Sequence, residues 1–375
     1  MELEFFTNLP SDMPTNILNL PSDMTINILS RLSLREIAIS KSVCKPWLDL
    51  IESNDIGKSK IKTASALVHF TPSARCTIFE IEDEDEADLE SHDLHYHALT
   101  DLVIPHPNRS SMEGTSANEL LLLNPSTTKG IPLYVCNPMT REYAELSYPL
   151  YIPERQLKFG FGVSKLSGEY KVVCINADNG FNTHYVYTLG TGKWRRIEAG
   201  AASGYKFWAQ PLLCNHNLHW TVMDLWHNNS ICGFDVETER FSIFSFPSNG
   251  YGFGDLCVLR DRLCYCYSLG EDFIIWCMKE YQVEESWTVE YKLSPIDWSF
   301  DWNYMLVEPI KLFKDGDMLM LLDKSRLIYY SYKAETFEYV DMFKDLDAND
   351  LVSPMIFNPS LLSLKNFGFK NVIKF

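Results

Sequence analysis

The sequence predicts an α+β multidomain chain: a small three-helix module at the front, then an all-β propeller of about six blades. Three observations lead there. Apolar residues in the first sixty positions recur at helical spacing, from about Ala64 onward the period becomes that of strands, and the strand-rich part repeats itself. The chain therefore divides into an extension at 1–18, the helical module at 19–60 and the propeller at 64–375, with an acidic loop at 80–97.

The helical elements come first. Met24, Ile28 and Leu32 recur every four positions with Leu29 beside them, which makes one apolar stripe on a helix. Pro21 suits the first turn of that helix, where no amide donor is needed. Ile26 falls far from the stripe and is either spent on solvent or kept for something outside the chain. Ser33-Leu34-Arg35-Glu36 is a capping box that opens a second helix with Ile37, Ala38 and Ile39. A third helix begins near Lys45, tolerates Pro46 in its first turn, and carries Trp47, Leu48, Leu50 and Ile51. A unit this small buries too little surface to stand alone, so it needs either the rest of the chain or a partner. Upstream, Asn8–Leu18 and Asn19–Leu29 agree at nine of eleven positions. Pro14 interrupts the first copy, so the second is read as the functional one.

The strands follow. An apolar run, a polar turn and a closing aromatic recur in YVCNPMTREY, YVYTLGTGKW, ICGFDVETERF, IWCMKEYQVEESW and LIYYSYKAETF. The closing aromatics Tyr143, Trp194, Phe241, Trp287 and Phe337 are 51, 47, 46 and 50 residues apart. Some twenty residues before each lies another strand, at Leu120–Leu123, Tyr170–Ile175, Leu218–Val222, Arg262–Tyr267 and Asp317–Leu322. Glycine beside an aromatic tracks it at Gly160, Gly162, Gly204, Gly252 and Gly254. This content and period describe propeller blades. Ala66–Phe70, Cys76–Ile81 and Ala98–Ile104 supply one more, closed by a strand from the tail after Leu351. That makes six, and seven fits the same count.

Composition narrows the chemistry. Thirty-three Lys and Arg against fifty Asp and Glu leave a net charge of −17. Nucleic acid and anionic membrane want a basic face, so neither is expected as a partner. No apolar run reaches a membrane span, and MELEFF lacks the zones of a signal peptide. A soluble protein of the cytoplasm, the nucleus or both is expected. Ten cysteines without a CxxC pair read as buried reduced thiols. Walker, GxSxG, HExxH and EF-hand motifs are missing, and neither catalytic residues nor cofactor are assigned. Phe159-Gly160-Phe161-Gly162 lacks the third glycine of a nucleotide loop and reads as a blade turn. Eight of the eleven residues Glu80–Glu90 are acidic, and His92, His95, His97 and His106 follow. A tract that repels itself makes a solvated loop or a docking surface rather than the rigid shell of a metal site. His216 and His219 fall on opposite faces of a strand, so no metal site is assigned there either.

Two family resemblances complete the reading. Leu20-Pro21-Ser22-Asp23, Ile28-Leu29-Ser30-Arg31-Leu32, Val43-Cys44-Lys45-Pro46-Trp47 and Leu50-Ile51 together resemble the F-box. Ser33, Ile39 and Lys41 depart from that family's usual Pro and Arg residues. The segments CNPMTREY, FGFGVSKLSGEYKVV, VYTLGTGKWRRI, LHWTVMD with GFDVETERF, and IWCMKEYQVEESW resemble the plant F-box-associated domain, a kelch-like propeller, across most of 119–340. The resemblance implies a substrate-recognition subunit of a Skp–cullin–F-box ubiquitin ligase. Leu20, Pro21, Ile26, Ile28, Leu29, Leu32, Ile37, Val43, Cys44 and Trp47 would meet the Skp-type adaptor, itself tied to a cullin and a RING protein. The propeller would hold an unidentified target protein for ubiquitination. Trp194, Trp220, Trp276 and Trp287 keep the repeat phase and read as packing between blades. Trp208, Trp226, Trp298 and Trp302 lie off it and read as candidate target contacts. Two other readings stay open. One is a propeller hydrolase or glycosidase using carboxylates such as Asp224, Asp255, Asp301 and Glu308. The other is an F-box scaffold acting outside the ligase.

Overall fold

The computed structural model describes residues 20–32, 34–40, 43–52, 65–70, 75–81, 94, 96–103, 112–125, 132–149, 157–178, 181–247, 254–269, 272–293, 306–324, 326–342, 354–369 and 371–374. The chain divides into two compact units, the first made of 1–63 with 360–362 and the second of the remainder.

In the first unit the three expected helices are present: α1 at Ser22–Leu29, α2 at Leu34–Ser40 and α3 at Lys45–Glu52. α3 touches both of the others. Pro21 sits one position earlier than expected, as the N-cap, with an extended ψ of 144°. Its carbonyl accepts the Met24 and Thr25 amides at 3.0 Å each and the Thr25 hydroxyl at 3.3 Å. α2 begins directly after Ser33, where the capping box places it; Ser33 itself lies outside the described residues, as does the duplicated segment 8–18. Pro46 occupies the first turn of α3, and its missing N–H costs nothing there. The expected stripe needs correcting. α1 stops at Leu29, so Leu32 lies beyond it, and the buried positions of the helix are Thr25 and Leu29 rather than Met24 and Ile28.

The second unit is a six-bladed propeller of antiparallel sheets. The first blade holds Met355–Phe357, Ala66–Phe70, Arg75–Ile81 and Tyr96–Val103; the second holds Met112–Ala117, Leu120–Pro125, Leu133–Asn137, Glu142–Leu146 and Val372–Lys374. The third runs through Leu157–Val163, Tyr170–Asp178, Phe181–Thr188 and Trp194–Ile197. In the fourth, Lys206–Phe207 and Leu212–Cys214 both pair with Asn217–Met223, followed by Asn229–Asp235 and Phe241–Phe244. The fifth holds Asp255–Leu259, Arg262–Leu269, Asp272–Met278 and Trp287–Leu293, and the sixth Val307–Leu312, Met318–Leu322, Arg326–Ser331 and Thr336–Val340. The innermost strands touch their neighbours all the way round, with Met355–Phe357 standing between the sixth blade and the second. The tail thus closes the ring as the sequence predicts, with Ala66 opposite Phe357.

The repeated residues have a common reason. Each closing aromatic lies on the fourth strand of its blade, opposite a third-strand partner: Tyr143 faces Cys136, Trp194 Tyr187, Phe241 Phe234, Trp287 Met278 and Phe337 Tyr330. Trp194 donates its indole N–H to the Ser147 carbonyl, just past the second blade, at 2.6 Å. Trp287 does the same to Ser245, just past the fourth blade, at 3.2 Å. One residue type therefore satisfies its polar edge and ties its blade to the one before. The cores lie between blades: Val173, Val186, Trp220 and Phe241 join the third to the fourth, while Cys264, Ile275, Met320 and Tyr330 join the fifth to the sixth.

Gly160 and Gly162 are strand residues in Leu157–Val163, which corrects the turn expected there. A Cβ on Gly160 would lie 2.8 Å from both Leu218 and Trp220, and one on Gly162 would lie 2.7 Å from Val236. Side chains of the fourth blade fill the space these glycines leave. The tail also does something the sequence reading did not anticipate. Val372–Lys374 pairs with Glu142–Leu146 on the outer edge of the second blade. Glu142 is buried beneath it and accepts from the Ser363 hydroxyl at 3.1 Å, the Leu364 amide at 2.8 Å and the Thr140 hydroxyl at 3.3 Å. Phe367 meets the ring of Tyr170 edge-on at 5.4 Å, so the tail reaches the third blade as well.

All ten cysteines are free, and all but the half-buried Cys44 are buried. His69, His184 and His219 are fully buried, and burial lowers each from 6.5 to about 4. Of the acidic tract and the histidine cluster, only Glu80, Ile81 and His97 lie among the described residues. Among those residues no group of His, Cys, Asp and Glu could hold a metal ion, and no helix is long and apolar enough to cross a membrane.

Candidate functional site

Two surfaces carry apolar side chains that the fold does not use. The first belongs to the helical unit. Met24 is 54% exposed, Ile28 42% and Ile39 61%. Met24 and Ile28 are one turn apart on α1, rotated by about 100° from the buried pair Thr25 and Leu29. The helix therefore has one apolar face for its own unit and a second, adjacent one left in water. The ten predicted docking positions divide accordingly. Pro21 and Ile28 are exposed, while Leu20, Ile26, Leu32, Val43, Cys44 and Trp47 are half-buried. Leu29 and Ile37 have no exposed surface, so they hold the unit together instead of facing a partner. The sequence reading missed Met24 and Ile39 as surface residues, because a hydrophobic stripe looks the same whether it faces inward or outward.

The second surface belongs to the propeller. The turn between Asn217–Met223 and Asn229–Asp235 is tied by Asp224, whose Oδ1 accepts the Trp226 and Asn228 amides at 2.8 Å each. Asn228 Nδ2 donates to the other carboxylate oxygen at 3.0 Å. Those bonds from Asn228 hold the Asp224 carboxyl below the usual carboxylate range. The tied turn leaves Leu225 72% and Trp226 83% exposed. Trp208, 58% exposed, stands in the break between the two short innermost strands of the fourth blade. Two of the four predicted target-contact tryptophans are thus available side chains on one blade; Trp298 and Trp302 lie outside the described residues. Trp220 and Trp287 are buried, and Trp276 is half-buried with its N–H on the Tyr267 hydroxyl at 3.3 Å, in keeping with packing roles.

Of the carboxylates weighed for hydrolysis, Asp255 and Glu308 come near enough to feel each other's charge, while Asp224 stands apart. Asp255 and Glu308 open the innermost strands of adjacent blades, and burial raises both above the usual range, Glu308 further through the charge of Asp255. Lys324 Nζ lies 3.9 Å from Glu308 and offsets part of this. Asp224 belongs to the fourth-blade turn and is fully engaged there, and Asp301 lies outside the described residues. His216 Nδ1 lies 3.1 Å from the Val163 carbonyl and His219 Nε2 2.8 Å from the Tyr281 hydroxyl, so the two rings have separate surroundings.

Comparison with known proteins agrees with this architecture. Residues 66–350 match the F-box associated beta propeller domain, and residues 17–59 match the F-box domain. The chain is 28% identical over 280 residues to the F-box protein CPR1 of Arabidopsis thaliana, covering 64% of this chain and 67% of that protein. It is 22% identical over 271 residues to the putative F-box protein At4g09190 of the same plant, covering 70% and 68%. Among solved structures, TolB from Acinetobacter baumannii aligns with a TM-score of 0.41 at 14% identity, over 79% of this chain and 65% of that one.

Proposed function

The chain belongs to the family of F-box proteins that carry an F-box associated β-propeller, and on that premise we propose that it is the substrate-recognition subunit of a Skp–cullin–F-box ubiquitin ligase. F-box proteins of this composition are non-catalytic adaptors in general. The helical unit docks on a Skp-type adaptor, and the propeller holds a target protein. No bond is made or broken on this chain. Its contribution is to keep a target lysine close to a ubiquitin thioester for long enough that a mediocre nucleophile reacts. It works in the cytoplasm, the nucleus or both.

The observation that carries the reading is the second apolar face of α1, Met24 and Ile28, left in water while Leu29, Ile37 and Ile51 of the same unit are buried; Ile39 on α2 is exposed as well. Exposed apolar side chains of this size side by side mark an interface. The test is co-purification of a Skp-type adaptor with the full chain and with the double variant Met24→Asp, Ile28→Asp. Both positions point to solvent, so the variant folds, and it loses the adaptor. Undiminished capture by the variant refutes docking through this face. Hydrolysis of a model glycoside by the adaptor-free protein would instead favour the enzyme reading.

A further inference from the structure

A small notch opens where the innermost strands of the second, third and fourth blades approach one another, lined among others by Thr115, Asn124, Leu157, Lys158, Phe159 and Gln210. Its polar side chains can all donate, and Lys158 can only donate. Lys158 is half-buried and has neither a hydrogen-bond partner nor a carboxylate partner among the described residues. Thr115 Oγ1 is buried and unpartnered. Asn124 Oδ1 already accepts the Tyr148 hydroxyl at 3.3 Å, which leaves the Asn124 amide N–H groups to the notch. A structural lysine in this propeller looks different. Lys171, on the next strand of the same blade, is buried on the Val236 carbonyl at 2.8 Å and on Glu239 at 2.9 Å. In a chain of net charge −17, a lysine that has found no carboxylate among the described residues, with amide donors beside it, is waiting for an acceptor.

We infer that this notch receives an Asp or Glu side chain of the target protein, an inference that rests on the receptor reading above. A carboxylate is acceptor-only and takes several hydrogen bonds at once, which matches an ammonium and an amide. Among the described residues the notch supplies one cation, too few for a phosphate dianion on a strongly acidic chain. Beside the notch, Trp208 stands two residues before Gln210 in the same break of the fourth blade. The recognised segment therefore carries an acidic residue next to an aromatic or aliphatic one.

The test pans a random linear peptide library, displayed so that no peptide has a free C-terminus, on the full chain. Amidated versions of the winning sequences are then titrated by fluorescence anisotropy. The inference expects Asp or Glu beside an apolar residue, binding weakened about tenfold or more in Lys158→Ala, and binding retained in Lys158→Arg. Winners without an acidic residue, equal binding by Lys158→Ala, or displacement by inorganic phosphate in preference to the unlabelled acidic peptide each overturn it. Adaptor capture by the same preparations reads the receptor proposal separately. Capture without acidic preference removes the notch alone, and acidic preference without capture removes the ligase role alone. A melting temperature equal to wild type in Lys158→Ala confirms that the variant is folded.

Discussion

Acid should unfold this propeller through its buried histidines, and His184 isolates the effect. The ring is fully buried on the third strand of the third blade, 4.8 Å from Phe241 and 6.0 Å from Phe207, and neither ring nitrogen has a partner among the described residues. Burial lowers it from 6.5 to about 4, so the fold holds the neutral imidazole and the unfolded chain takes the proton first. The stability it contributes is present above 6.5, is lost as pH falls from 6.5 toward 4, and changes no further below that. Between pH 7 and pH 5 the loss is about 2 kcal/mol for one such group. His69 and His219 are lowered in the same way, so together the three remove roughly 6 kcal/mol, much of an ordinary domain's stability. His184→Phe puts a ring of similar shape among the same aromatics and cannot take a proton. Urea unfolding at pH 7 and pH 5, followed by tryptophan fluorescence, reads the difference, since Trp220 packs edge-on to Phe207 at 5.7 Å. The variant should lose about 2 kcal/mol less than wild type on going to pH 5. Equal losses in the two proteins would refute the account.

Two further changes test how the blades are held. Gly160→Ala places a methyl group 2.8 Å from Leu218 and Trp220 and should destabilise the fold by about 1–3 kcal/mol in urea unfolding, whereas an unchanged midpoint contradicts the packing of the third blade on the fourth. Glu142→Ala strips the acceptor from the Ser363 hydroxyl and the Leu364 amide and should cost about 1–3 kcal/mol. Hydrogen exchange should then quicken at Val372–Lys374 and Glu142–Leu146 but stay unaltered in the fifth blade, and uniform protection would sink that role for the tail.

How much of this was legible depended on whether a residue obeyed a period. The three helices, the six blades and the tail strand beside Ala66 are all signalled by spacing, because each blade solves the same packing problem with the same residues. The burial of α1 was not. Its stripe is one-dimensional information, and which of two adjacent faces enters the core is decided by where α3 lies. The alternation Phe159-Gly160-Phe161-Gly162 has the two-residue period of a strand, and reading the glycines as a turn set that period aside. The second tail strand had no local signal at all: its anchor, Glu142, lies more than two hundred residues from Ser363.

The same distinction separates scaffold from function in the propeller. Tyr143, Trp194, Phe241, Trp287 and Phe337 keep the repeat in five of the six blades, and a residue so widely shared cannot distinguish one target from another. Recognition has to come from what the blades do not share. In the fourth blade the innermost strand is broken in two, and the break holds Trp208 and Gln210. In the third, a lysine without a partner among the described residues stands on an innermost strand of an acidic protein. In the fourth again, a carboxylate spends its hydrogen bonds on holding Leu225 and Trp226 out in water. Exposing apolar surface and leaving donors unpaired both oppose stability. The fold tolerates those costs because the interblade cores are complete without these residues, which leaves the departures from the repeat free to be read by a partner.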